Sequence, residues 1–150
     1  MEEALRTIAT VLWALVTGMG VCEAVIIIPG ARRAGAAAGL RAFGAMGQFG
    51  WRIVPAMAVT ASVVLVALIV LGDESGATAT LTIVALVVFA GAILVALGIY
   101  KPADAALFAL TEDAAEEEYE RRLTRVHRAV NGRAVLYVIG LVLLVLAPLV

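Results

Sequence analysis

The chain has 150 residues, 63 % of them hydrophobic and 15 % charged, with a mean hydropathy of +1.05. A water-soluble domain is about 45–50 % apolar, so hydrocarbon is the expected surroundings of most of this chain. A formal charge of -1 gives no reason to expect nucleic-acid binding, and one cysteine, Cys22, excludes an intramolecular disulfide or a thiolate-held metal cluster.

The opening MEEALR carries acids where a cleaved leader carries positive charge, so the first apolar run, about 7–28, is expected to be a retained span. Cys22 within it is expected to be a small buried apolar residue. The run meets Pro29-Gly30, a helix terminator, and then Arg32 and Arg33. After a small-residue linker, Ala31 to Gly39, apolar residues recur at helical spacing from Leu40 to Trp51, with Arg41, Gln48 and Arg52 interleaved. Helix two therefore begins below the membrane and crosses it over about 52–71, with Pro55 either in a first turn or at a kink.

Gly72 to Gly76 is a turn, and span three, about 79–100, ends at Lys101-Pro102. The region after it is polar, and from Glu116 to Arg133 it has acids first and bases last, the order that suits a helix dipole. The last apolar run, about 134–150, is barely long enough to cross. It is expected to be the end of one long fourth helix beginning near Ala114. These elements make a single all-α domain: a four-helix transmembrane bundle with linkers at about 30–51 and 101–133.

Arg32, Arg33, Arg41 and Arg52 follow span one, Lys101, Arg121, Arg122, Arg125, Arg128 and Arg133 follow span three, and the middle turn has no basic residue. The positive-inside rule then makes both linkers cytoplasmic and puts the N- and C-termini outside, with helix four carrying a long cytoplasmic extension. Membrane lipids are the expected surroundings, and a homo-oligomer is left open.

An ionisable group inside an apolar span costs about 2.5–3.5 kcal/mol at a central position and needs a partner. Glu23 is such a group, and Arg52 enters helix two at a similar depth. A Glu23–Arg52 pair could simply fix packing, or it could line a ligand cavity. His127 is the sole histidine, which excludes a multi-histidine metal site within one chain, and it projects with Asn131 one turn on. It is either a headgroup-level histidine or a general acid or base. Asp104 follows Lys101-Pro102 and either caps a helical turn or acts as a site carboxylate. The run Glu116, Glu117, Glu118 with Glu120 is expected to be a solvated face, Glu118 pairing with Arg121 and Arg122. Gly18, Gly44, Gly47 and Gly50 are expected where helices approach closely. Glu23, Gln48, Arg52, Asp104, His127, Asn131 and Arg133 together make a polar vestibule at the cytoplasmic end the expected site.

The stretches VCEAVIIIPGARR, GQFGWRIVP, YKPADAAL and RRLTRVHRAVNGRAV resemble a family of small four-helix bacterial membrane proteins grouped with the fungal anthrone oxygenases. Where that family has Pro-x-Asn after the third span this chain has Pro102-Ala103-Asp104, and it keeps Asn131 and Arg133 but not the family's Trp at the start of the fourth. The resemblance implies a multi-pass protein of the bacterial inner (plasma) membrane. It also implies a cofactor-independent oxygenase that takes a proton from a hydrophobic phenolic or polycyclic substrate so that oxygen can react. His127 or Asp104 would be the base, and Arg52 or Arg133 would stabilise the enolate; Glu23, Gln48, Asn131 and Arg133 are the vestibule's expected binding residues.

Two further classes stay open beside an interaction protein without catalysis. One embedded glutamate in four helices is similar in plan to small proton-coupled exporters. Copper handling would draw on Met19, Met46, Met57, Cys22 and His127, which form no close motif.

Overall fold

The computed structural model describes residues 1–72, 76–111 and 113–150, the side chains of 46–51 excepted. Helix α1 (Glu2–Cys22) passes through a π-helical turn (Glu23–Ile27) into α2 (Ile28–Ala34), and α3 (Ala36–Leu71) returns. Helix α4 (Gly76–Val95) passes through a second π turn (Ala96–Tyr100) into α5 (Lys101–Phe108), and α6 (Glu116–Leu146) returns, closing with a 3-10 turn (Ala147–Leu149). Among the described residues there is no strand, and four helical stretches are long and apolar enough to cross a membrane: Glu2–Ala34, Arg52–Leu71, Gly76–Phe108 and Glu116–Leu149.

The prolines do not stop the helices as the sequence suggests. Pro29 and Pro102 lie in the first turns of α2 and α5, and the chain stays helical through both by way of the π turns. Pro29 has no N–H, so some carbonyl one turn earlier must lose its partner. In α-helical register that carbonyl would be on Val25, which is 67 % exposed on the apolar outer surface. The π turn shifts the register: the Ile28 N–H donates to the Glu23 carbonyl, five residues back. The carbonyl opposite Pro29 is then that of Ala24, which is buried and can be served from inside the bundle. Lys101 likewise donates to the Ala96 carbonyl, in the same relation to Pro102. The actual break after α2 is Gly35, whose φ of 76° favours glycine.

The chain is thus two similar halves in succession, each a descending helix, a π turn, a proline-initiated short helix and a long ascending helix. Within each half the descending helix packs on the ascending one, and α1 also packs on α6 as α4 does on α3. We call the end that holds both π turns, α2 and α5 the lower end.

Two apolar cores stack along the bundle. The upper one centres on Trp13, whose indole stacks on Phe89 at 3.7 Å between centroids, with Leu65, Leu68 and Leu144 around them. The lower one holds Ile28, Phe43, Leu107, Tyr119, Leu123 and Val130. Around the spans the outer surface is apolar, with Val63, Val70, Val87 and Leu94 all exposed, as expected of helices that meet lipid. Cys22 is on this exposed side because the inward face of α1 is set by Ala9, Trp13, Val16 and Gly20.

Close approaches occur at glycines other than those expected. A Cβ on Gly18 would meet nothing within 4 Å, and on Gly44 only Phe108 at 3.9 Å; Gly47 and Gly50 lie outside the described side chains. Gly39 instead makes room for Tyr119, whose hydroxyl donates to the Ala31 carbonyl at 3.1 Å. The acidic start of α6 is accordingly more than a solvated face. Glu116 accepts from the Ala36 N–H at 3.1 Å and so caps α3, and Glu120 pairs with Arg32 at 2.9 Å. Glu118 does pair with Arg121 and Arg122, as its spacing implies.

At Gly140 a Cβ would lie 2.5 Å from the Phe89 ring, which cannot retreat because Trp13 is stacked behind it. Gly140→Ala is therefore expected to destabilise by about 1–3 kcal/mol. Gly98→Ala, which meets nothing within 4 Å, should melt in detergent close to the wild type.

Candidate functional site

At the junction of the two cores, three helical segments bring polar side chains into one place. The first π turn begins with Glu23, the second ends with Tyr100, and α6 contributes Arg133. The Tyr100 hydroxyl donates to Glu23 Oε1 at 2.7 Å, and Arg133 Nη2 donates to Glu23 Oε2 at 2.5 Å. The guanidinium also lies over the Tyr100 ring at 4.4 Å and near that of Tyr137 at 5.9 Å, so two aromatic rings flank the cation. The side chains of Arg133 and Glu23 are only 8 % and 18 % exposed. Desolvating two charges is repaid only when geometry and further hydrogen bonds are good, and here both carboxylate oxygens are engaged. Arg133 Nε is buried with no hydrogen-bond partner among the described residues.

Asp104 is buried, at 3 % exposed, in the first turn of α5 within electrostatic range of Tyr100. Pro102 starts α5, and Asp104 follows in its first turn.

His127 is half-buried, and its Nε2 lies 3.1 Å from the Ala24 carbonyl. That carbonyl is the one the π turn sets opposite Pro29, so the imidazole supplies, through an Nε2–H, the donor that proline lacks. This tautomer leaves Nδ1 as the remaining acceptor.

Of the residues singled out from sequence, Glu23, Asp104, Arg133 and His127 all lie at the lower end beside the π turns. Arg52 is not the partner of Glu23: it is exposed, roughly 180° around α3 from the inward-facing Ala61 at 100° per residue. Matching depth alone did not fix its direction. The guanidinium that does reach Glu23 stands a similar distance into the ascending helix of the other half. Asn131 is exposed and so does not join His127 at the cluster, and Gln48 lies outside the described side chains. Tyr100 was missed because a tyrosine ending an apolar span reads as an interfacial anchor. Among the described residues no group of three His, Cys, Asp or Glu could hold a metal ion.

Comparison with family models, curated proteins and solved structures finds no match to this chain. Its class is defined by the fold and the cluster: an all-helical protein with four helices able to span a membrane and an ionisable group of side chains between them.

Two double-mutant cycles test the cluster by denaturation in detergent. Arg133→Met strands a buried carboxylate and should cost about 3–5 kcal/mol, with Glu23→Leu/Arg133→Met costing clearly less than the sum of its single changes. His127→Phe should cost about 1–3 kcal/mol by orphaning the Ala24 carbonyl. In a Pro29→Ala background, where a backbone N–H is restored, the same change should cost less.

Proposed function

We propose that this chain is a multi-pass protein of the bacterial plasma membrane with its N- and C-termini outside. The linkers that carry Arg32, Arg33, Arg41 and Arg52, and Lys101 with the α6 arginines, face the cytoplasm under the positive-inside rule. The lower end is then the cytoplasmic end, and the first half of α6 is the cytoplasmic extension of helix four. At that end the cluster acts as a cofactor-independent oxygenase on a hydrophobic phenolic or polycyclic substrate. Asp104 takes the proton from the activated carbon, and Arg133 stabilises the enolate oxygen that results. Oxygen then adds at that carbon, and loss of water leaves a quinone carbonyl. Per substrate, one CH2 and one O2 become one C=O and one water.

The observation that supports this reading is the Arg133 Nε–H, buried without a hydrogen-bond partner among the described residues, in the same group of side chains as Asp104 and Tyr100. A fixed cationic donor in a water-poor site is what a developing oxyanion needs. The resemblance to anthrone oxygenases supplies the substrate class. Arg52, exposed on α3, takes no part, and His127 is committed to the Ala24 carbonyl.

A second reading, a membrane protein in which the cluster only locks the helices together, is favoured by Glu23 having both oxygens engaged. The same fact gives proton-coupled transport at Glu23 no support. Incubating the detergent-purified protein with an anthrone separates the readings. Oxygenase action predicts quinone absorbance with equimolar oxygen uptake, lowered about 100-fold or more in Asp104→Asn. Asp104→Asn must melt like the wild type for that loss to count. No quinone from folded wild-type protein leaves the packing role.

A further inference from the structure

Between the descending half of α4–α5 and the outer face of α6 runs an open groove of about 870 Å³. Its two walls run antiparallel, and the carbonyl of Ala106 on α5 accepts a hydrogen bond from Arg122 on α6, which fixes their register. Ala106 and Arg122 therefore mark the lower end, and Val95, Ile99 and Gly132 the upper. The upper end is apolar and open: Ile99 is exposed, and a Cβ on Gly132 would meet nothing within 4 Å.

The lower end is cationic. Arg121, Arg122, Arg125 and Arg128 line it against one acid, Glu118. Glu118 is taken up by Arg121 and Arg122, and no carboxylate among the described residues is within ion-pair distance of Arg125 or Arg128. Arg128 and Arg125 lie roughly 9 and 14 Å below Ala134 along α6 at 1.5 Å per residue. With Ala134 at the hydrocarbon edge, that range begins just outside the polar headgroup layer, which is about 5–8 Å deep on each side of the hydrocarbon, and long arginine side chains can reach back into it.

A groove that is apolar where the bundle meets hydrocarbon and cationic where it meets headgroups has the polarity of one molecule of membrane lipid. Its excess positive charge selects the sign of that headgroup. We infer that this groove is a binding site for an anionic phospholipid, with the phosphate on Arg125 and Arg128 and an acyl chain along Ile99 and Gly132. The site uses the membrane placement of the bundle and does not depend on what the Glu23 cluster does.

The test uses the full chain purified in a neutral detergent, with phosphatidylglycerol, phosphatidylcholine or inorganic phosphate added, read by native mass spectrometry and by melting temperature. Phosphatidylglycerol is expected to be retained and to raise the melting temperature, and phosphatidylcholine to do neither. Arg125→Gln/Arg128→Gln should weaken retention about 30-fold, from the usual strength of two arginines at an anionic headgroup surface. Gly132→Leu, which fills the acyl end without touching a charge, should weaken it as well while leaving the lipid-free melting temperature unchanged. Equal retention of phosphatidylcholine, an equal effect from inorganic phosphate, or undiminished retention in the double arginine variant would each overturn the assignment. If the double variant does not fold, Gly132→Leu decides alone, and unchanged retention there overturns it.

Discussion

Backbone and side-chain polar groups inside an apolar bundle have no water to turn to, so each must be met by the protein. That requirement acts most sharply where Pro29 and Pro102 remove an N–H from a helix that nevertheless continues. The π turns are the local answer, because they choose which carbonyl goes without an intrahelical donor. In the first half the choice falls on buried Ala24 rather than exposed Val25, and His127 completes the arrangement. The same turn begins with Glu23, which meets Tyr100 and Arg133. A backbone adjustment and an ionic cluster thus meet at one turn.

This arrangement ties the two halves of the chain together. Glu23 belongs to the first half, and its partners Tyr100 and Arg133 belong to the second. Lower down, the acidic first turns of α6 cap α3 through Ala36 and hold Arg32, and Tyr119 fits into the space left at Gly39. Charged groups that look solvated in sequence are therefore spent on docking a long helix, while the arginines of its outer face are left for the groove beside α5.

Much of the architecture is legible in the sequence because hydrocarbon imposes length and apolarity on every span, and those can be read residue by residue. The long fourth helix follows from an apolar run too short to cross alone, and α6 indeed runs unbroken from Glu116 to Leu146. The prolines were misread as terminators because a π turn has no sequence signature of its own; it follows from the fate of one carbonyl, which depends on tertiary neighbours. Glu23 was recognisable as a residue in need of a cation. The sequence could not say which arginine answers, since Arg52 and Arg133 occupy similar places in the two halves and differ only in the face of the helix they occupy. In the structure each π turn starts six positions before its proline, Glu23 before Pro29 and Ala96 before Pro102, a repeated plan that shows only once the turns are seen. Tyr100, one residue before Lys101-Pro102, was overlooked.

The central claim is that Arg133, from the last helix, is the cation that meets Glu23. The most direct measurement is a carbon–nitrogen dipolar coupling by solid-state NMR in lipid bilayers, between the labelled Glu23 carboxyl carbon and labelled arginine side-chain nitrogens. A strong coupling that disappears in Arg133→Met and persists in Arg52→Met is the predicted result. A coupling that disappears only in Arg52→Met, or no coupling to any arginine, would contradict it.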